Sequence, residues 1–223
     1  MSSLRHDQSS YEILLMEYAA GTLDMAQMLI VSAHLSLSPK ARKIVKDCEC
    51  VGGTLIEKRC EPVAMNKNSL DNVLNRLDHK TPAREADPRS RRLPDDFHMP
   101  FCIESMITCR SRLRWRSFYP GIDGFALPLE CRKSKAHAFR IRPGVSAPAH
   151  RHEGLEITLV LDGAIGDEDG LYEQGSLLIS DVEDKAHKPM ASVDRGCVCL
   201  TVFSGPVHFT GGLTRLLNPF FRF

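Results

Sequence analysis

Residues 144–163 read GVSAPAHRHEGLEITLVLDG, with His150, His152 and Glu156 set between Gly144 and Gly163. On a β-strand, side chains two residues apart point to the same face, so His150 and His152 converge on one point. Glu156 reaches that point from the next strand once the chain turns around Gly154. A second segment begins at Gly175 and brings His187 after a further strand and turn. Three imidazoles and one carboxylate form a donor set for a single divalent ion, of the kind that suits zinc, iron, manganese, nickel or copper.

Working outward from this stretch, the second half of the chain consists of short β-like runs separated by turn residues. The runs Ala138–Arg142, Glu156–Leu161, Ser176–Ile179 and Cys197–Phe203 alternate with Pro143-Gly144, Asp162-Gly163 and Asp169-Gly170. Several short strands at such spacing predict a sandwich or barrel. Cys197 and Cys199 share one face of their strand. Packing in the core explains them better than a mutual disulfide, because alternating residues on a flat strand are poorly placed to bridge.

The first half reads differently. Ser9-Ser10 caps a helix carrying Tyr11, Leu14, Leu15 and Tyr18, and Gly21 ends it. A second helix runs from Met25 to about Leu37, and Pro39 suits the first turn of a third. Gly52-Gly53 weaken the end of that third helix. Ser69 opens a fourth, short helix on which Leu70, Val73, Leu74 and Leu77 form an apolar stripe. Roughly 75 residues in four helices bury little surface, so a partner that completes their core is physically favoured. Residues 79–100 hold Pro82, Pro88, Pro94 and Pro100 among mixed charges and read as a flexible linker. The expected organisation is a helical unit over 1–78, a linker over 79–100 and a β-barrel over 101–223, an α+β multidomain chain.

Composition excludes several classes. The 223 residues carry 29 basic and 28 acidic side chains, a net charge of +1, so nothing favours nucleic acid or an anionic membrane. No apolar run approaches the roughly 18 residues of a membrane span, and residues 1–10 lack the apolar core of a secretory signal. A cytoplasmic location follows as the expectation. The eight cysteines, at positions 48, 50, 60, 102, 109, 131, 197 and 199, are then expected to be reduced and mostly buried.

The spacing of Gly144, His150, His152, Glu156 and Gly163 matches the first motif of the cupins, and His187 stands where their second motif has a histidine. This resemblance implies a cupin barrel of the jelly-roll type. The usual Pro-x-Gly turn of the second motif is absent, with Ser180-Asp181-Val182-Glu183 in its place. The string from Tyr18 to Leu23, the string from His34 to Pro39, Val51–Glu57, Cys197-x-Cys199 and Arg215–Asn218 further resemble the ChrR-type anti-sigma factors. Members of that family join a small helical anti-sigma domain to a C-terminal cupin. The resemblance implies that the helices sequester an extracytoplasmic-function sigma factor and that the cupin is needed to release it under singlet-oxygen or oxidative stress.

One departure bears on chemistry. The family's helical domain binds zinc through an upstream histidine and a His-x3-Cys-x2-Cys string. His6 and His34 match, but Ser38 and Ala41 stand where the two cysteines belong. A hydroxyl and a methyl cannot replace two thiolates, so no zinc is expected in the helical domain. The expected cofactor is one divalent ion in the cupin, zinc first, with iron, manganese or nickel as alternatives. Met25, Met28 and Leu29 on the second helix, with Leu70, Val73, Leu74 and Leu77 on the fourth, serve either the domain's own core or a docking surface for a sigma helix. The other reading of the chain is a metal-dependent cupin dioxygenase or isomerase with a helical appendage, for which Glu153 and His137 are acid–base candidates by residue type alone.

Overall fold

The computed structural model describes residues 8–78, 114–131, 133–168, 170–181 and 186–212. His6, the segment 79–100, Cys102, Cys109 and Arg215–Asn218 lie outside the described residues.

Four helices come first: α1 Gln8–Ala20, α2 Met25–Leu37, α3 Pro39–Arg59 and α4 Ser69–Asp78. Their boundaries follow from capping chemistry. Gly21 adopts a φ of 68° and closes α1 through its N–H to the Tyr18 carbonyl. Asp24 then caps α2, accepting from the N–H groups of Ala26 and Gln27 while the Gln27 side chain accepts from the Asp24 N–H. Ser38 accepts from the Ala41 N–H at the start of α3, and Pro39 occupies the first turn, where a missing donor costs nothing. The Gly52-Gly53 pair does not end α3, which continues to Arg59. No single described helix is long and apolar enough to cross a membrane.

Among the described residues ten strands follow: β1 Arg116–Tyr119, β2 Ile122–Ala126, β3 Lys135–Ile141, β4 His150–His152, β5 Glu156–Asp167, β6 Gly170–Glu173, β7 Leu177–Ser180, β8 Met190–Ala191, β9 Cys197–Phe203 and β10 Val207–Phe209. All pairings are antiparallel. β1, β2, β3, β9 and β5 lie in that order, and β5 continues onto β7 at its start and onto β6 and β8 at its end. β4 pairs with β10 as a separate ribbon. This is the expected cupin architecture.

Asp162-Gly163, expected as a turn between strands, is instead a bulge inside β5. The register against β9 slips between Val160 and Asp162, and Gly163 takes a φ of 70°. The extra residue bends one long strand so that its halves serve two walls of the barrel.

The sheet is buried on both faces. Its concave face holds Ile122, Ile141, Val160, Ile165, Tyr172, Leu178, Cys197 and Cys199, the core of the barrel. Its other face presents Ala136, Ala138, Ile157, Leu159, Leu161, Leu200 and Val202, which join one continuous core with Leu15, Ala26, Ile30, Val31 and Ala33 of the helices. The helical part is thus seated on the back of the barrel rather than tethered apart from it. Ser134 donates a hydrogen bond to the Asp24 carboxylate across this junction. Cys131 lies at the same place, and backbone N–H groups of Ser134, Lys133 and Ala26 hold its thiol below the ordinary range although burial opposes this.

Leu29 belongs to this core at 3% exposure, so it is a packing residue and not part of an open docking patch. Met25, Met28, Leu70, Val73, Leu74 and Leu77 are exposed, together with Ile13 and Met16 of α1. Among the described cysteines, Cys197 and Cys199 are buried as expected, but Cys50 and Cys60 are exposed.

Candidate metal centre

β4, the start of β5 and one bridge assemble the centre. β4 carries His150 and His152 on one face, both buried, with Arg151 exposed between them. The backbones of His150 and His187 exchange two hydrogen bonds, of 3.1 and 3.0 Å, and this pins the loop carrying His187 to β4. Glu156 opens β5 after the turn at Gly154. That turn needs its glycine, because a Cβ there would lie 2.7 Å from the Gly205 nitrogen.

The donor atoms of His150, His152, Glu156 and His187 all lie within 4.8 Å of one another. His187 Nε2 is 3.0 Å from His150 Nε2 and 3.4 Å from His152 Nε2. Glu156 Oε2 is 2.7 Å from His152 Nε2 and 3.8 Å from His187 Nε2. His150 Nδ1 donates to the Pro148 carbonyl at 2.8 Å, which fixes the tautomer and leaves its Nε2 lone pair facing the cluster. Three imidazole nitrogens this close, one of them with its lone pair turned inward, fit a cation better than they fit one another. Burial alone would raise the Glu156 carboxyl. While those imidazoles are protonated, the charge and hydrogen bond of His152, then the charges of His150 and His187, outweigh it and hold the carboxyl at about 2. An ionised carboxylate is what a metal ligand must be.

A second layer steadies these ligands. The Thr158 hydroxyl donates to Glu156 Oε1 at 3.2 Å and lies 3.0 Å from the Thr201 hydroxyl. Phe203 stacks on His152 at 6.1 Å, and Phe209 meets the His150 ring edge-on at 6.4 Å. The sequence reading missed Thr158 and Thr201. The signal was present, since Thr158 is two residues past Glu156 and must share its face.

Similarity to known proteins agrees with this geometry. Residues 104–208 match the family described as the ChrR Cupin-like domain. Over 225 aligned residues the chain is 36% identical to the anti-sigma-E factor ChrR of Cereibacter sphaeroides, covering 99% of both sequences. The crystal structure of Rhodobacter sphaeroides SigE in complex with the anti-sigma ChrR is similar over 90% of this chain and 99% of that one, with 35% identity and a TM-score of 0.69. The chain belongs to the ChrR family of anti-sigma factors.

Three of the four positions that resemble the ChrR-type zinc motif are described, and each has another role. His34 is 1% exposed, its Nε2 2.9 Å from the Tyr11 hydroxyl. Ser38 caps α3, and Ala41 is wholly buried in the helical core. Burial pushes His34 down to about 4, and the backbone of Gly175 offsets only part of this.

The two acid–base candidates of the enzyme reading are placed elsewhere in this ChrR-family barrel. Glu153 pairs with His208 at 3.0 Å on a half-exposed surface. His137 is packed between Phe118, Phe139 and Phe203, and burial, aided by the Lys135 charge, pushes it down to about 4. Neither lines the cavity that opens beside the four ligands.

Proposed function

We propose that this chain is an anti-sigma factor that sequesters an extracytoplasmic-function sigma factor through its helical part, residues 1–78, while the cupin, residues 101–223, governs release under oxidative or singlet-oxygen stress. The observation that carries this reading is the colinear match to an anti-sigma-E factor over 99% of the chain, helices included. A barrel-only relative would leave the helices unmatched. The SigE complex of the similar ChrR protein supplies the partner class. Exposed apolar side chains on α1, α2 and α4, among them Met16, Met25, Met28, Leu70, Leu74 and Leu77, offer the docking surface. The segment 79–100 acts as the connection between the two parts. Such a protein works in the cytoplasm, where sigma factors meet RNA polymerase, and regulates rather than catalyses.

In the cupin, His150, His152, Glu156 and His187 hold one divalent ion, zinc by preference because a closed histidine–carboxylate set suits its four-coordinate geometry. The ion supplies a fixed positive charge that ties β4, β5 and the His187 segment together. The protein's own part is to fix the His150 tautomer through Pro148, to orient Glu156 through Thr158, and to keep water away with Phe203 and Phe209.

The test is co-expression of the full chain with each extracytoplasmic-function sigma factor of its host, followed by size exclusion and promoter-specific transcription. An equimolar complex that silences its sigma factor is the expected result. If no sigma factor is bound or silenced by folded protein, the reading falls.

A further inference from the structure

We infer that α2 belongs mechanically to the barrel rather than to the helices around it, and is the element through which the metal centre acts on the helical part. The inference rests on the metal reading above and deepens it by naming the route from the ligands to the helices.

Both ends of α2 are fixed to the barrel. At its start, the Asp24 side chain that caps the helix accepts a hydrogen bond from Ser134, the residue before β3. At its other end, His34 and Leu37 lie against Gly175, in the turn between β6 and β7. The Gly175 backbone reaches the His34 ring, and a Cβ on Gly175 would stand 3.6 Å from Leu37 Cβ. Between these anchors Ala26, Leu29, Ile30 and Ala33 are buried, and the helix packs on β5 and β9. The 13 residues of α2 span about 20 Å. Anchors this far apart hold both the position and the direction of a helix, where a single contact would leave a pivot. By contrast, α1 and α3 pack chiefly on each other. What ties α1 to α2 is the hydrogen bond of 2.9 Å between Tyr11 and His34.

The floor under α2 and its far anchor both lead back to the metal ligands. Glu156 opens β5, and Ile157 and Leu159 of the same strand enter the core shared with α2. β7 pairs with this stretch, Ser180 opposite Glu156 and Leu177 opposite Leu159. The turn before β7 is locked to β5 as well. The Gly175 N–H donates to the Val160 carbonyl at 2.8 Å, and the Val160 N–H to the Ser176 carbonyl at 3.0 Å. From Glu156 to Val160 is about 13 Å of continuous strand. With Glu156 drawn against the three histidines, β5 and β7 are held, and with them the floor and the far anchor of α2. Close-packed interiors pass such small displacements on rather than absorbing them. Any change at the centre therefore reaches α2 first, and reaches α1 and α3 only through α2.

The test is hydrogen exchange with mass spectrometry on the full-length chain, with zinc bound and after chelation. Zinc content is measured first, and a chain that takes up no zinc overturns the centre itself and this proposal with it. No sigma factor is present, so failure of the sequestration reading leaves the result untouched. Removing zinc is expected to speed exchange in α2 and β5 at least ~10-fold more than in α1 and α3. A merely global loss of stability would act on every helix alike. Leu37→Ala combined with Ser134→Ala cuts both anchors away from the ligands. That variant should keep its zinc and the response of β5, while the response of α2 falls toward that of α1 and α3. The comparison among helices in the unaltered chain stands whether or not the variant folds. An equal response in all three helices, no response in α2, or a folded variant whose α2 still responds in full would overturn the proposal.

Discussion

Tyr11 Oη and His34 Nε2 lie 2.9 Å apart in the helical core and join α1 to α2 by a buried hydrogen bond. The bond occupies a histidine that resembles a zinc ligand of related anti-sigma domains, while Ser38 and Ala41 have become a helix cap and a core methyl. At the three described positions of that motif, hydrogen bonding, helix capping and core packing are the roles seen. Tyr11→Phe keeps the ring and strands the histidine nitrogen, so it should destabilise the chain by about 1–3 kcal/mol. The urea midpoint should fall with an unchanged slope, and an unaltered midpoint would show that the bond contributes nothing.

The same histidine makes stability depend on pH. His34 and His137 are both pushed from the ordinary 6.5 to about 4 by burial. Between those values the unfolded chain takes up protons that the folded chain refuses. Stability is therefore complete above about pH 6.5 and is lost as pH falls toward 4, by about 1.4 kcal/mol per pH unit for each histidine. Urea midpoints at pH 7.5 and pH 5 should differ in that direction, and His137→Phe should flatten the dependence. Equal midpoints at the two pH values would contradict it. Glu156, held at about 2, adds a separate acid-side loss below its ordinary 4.5.

Replacing His150 and His152 by alanine removes two of four donors, and the metal content of purified protein should drop from about one equivalent to a trace. In the unaltered chain, a chelator should lower the melting temperature, since ion present at about 100 times its Kd stabilises the fold by ~2.7 kcal/mol. The double variant should not respond to chelator, yet should still bind the sigma factor through its helices. Full metal retention would remove the assignment of the centre.

Two glycines should respond in opposite ways to alanine. At Gly163 the φ is 70° and a Cβ would sit 2.1 Å from the Gly196 carbonyl oxygen. Gly163→Ala should therefore cost about 3 kcal/mol or more, or prevent folding of the barrel. Gly53 lies within α3 with nothing within 4 Å of a built Cβ, so Gly53→Ala should stabilise by about 0.5–1 kcal/mol. Thermal melts of the two variants decide both.

The clustering of His150, His152, Glu156 and His187 was legible in the sequence because strand periodicity and donor chemistry are both local. His150, His152 and Glu156 need only their own spacing, whereas His187 depended on the resemblance to a second motif. The starts of α2 at Met25 and α3 at Pro39 were legible for the same reason, but Ser9-Ser10, read as the cap of α1, lie inside a helix that already begins at Gln8. Gly163 misled because a positive-φ glycine after an aspartate reads alike in a turn and in a bulge. The seating of the helices on the barrel was hidden by the run from Ile157 to Leu161. With both faces of β5 buried, the alternation that would mark one face as open is absent. Leu29 followed from the same blindness, because an apolar residue on a helix does not say which neighbour covers it.

Glu156 and Ile157 are consecutive residues that face opposite sides of one sheet, the first toward His150, His152 and His187 and the second into the core shared with the helices. A strand repeats every two residues, so a slip of one position would exchange them, burying the carboxylate among apolar side chains and offering an isoleucine to the histidines. Each face thus proofreads the other. A strand whose Glu156 meets the three histidines is already one whose reverse side is in register to receive the helices, so a single alignment of β5 serves both faces.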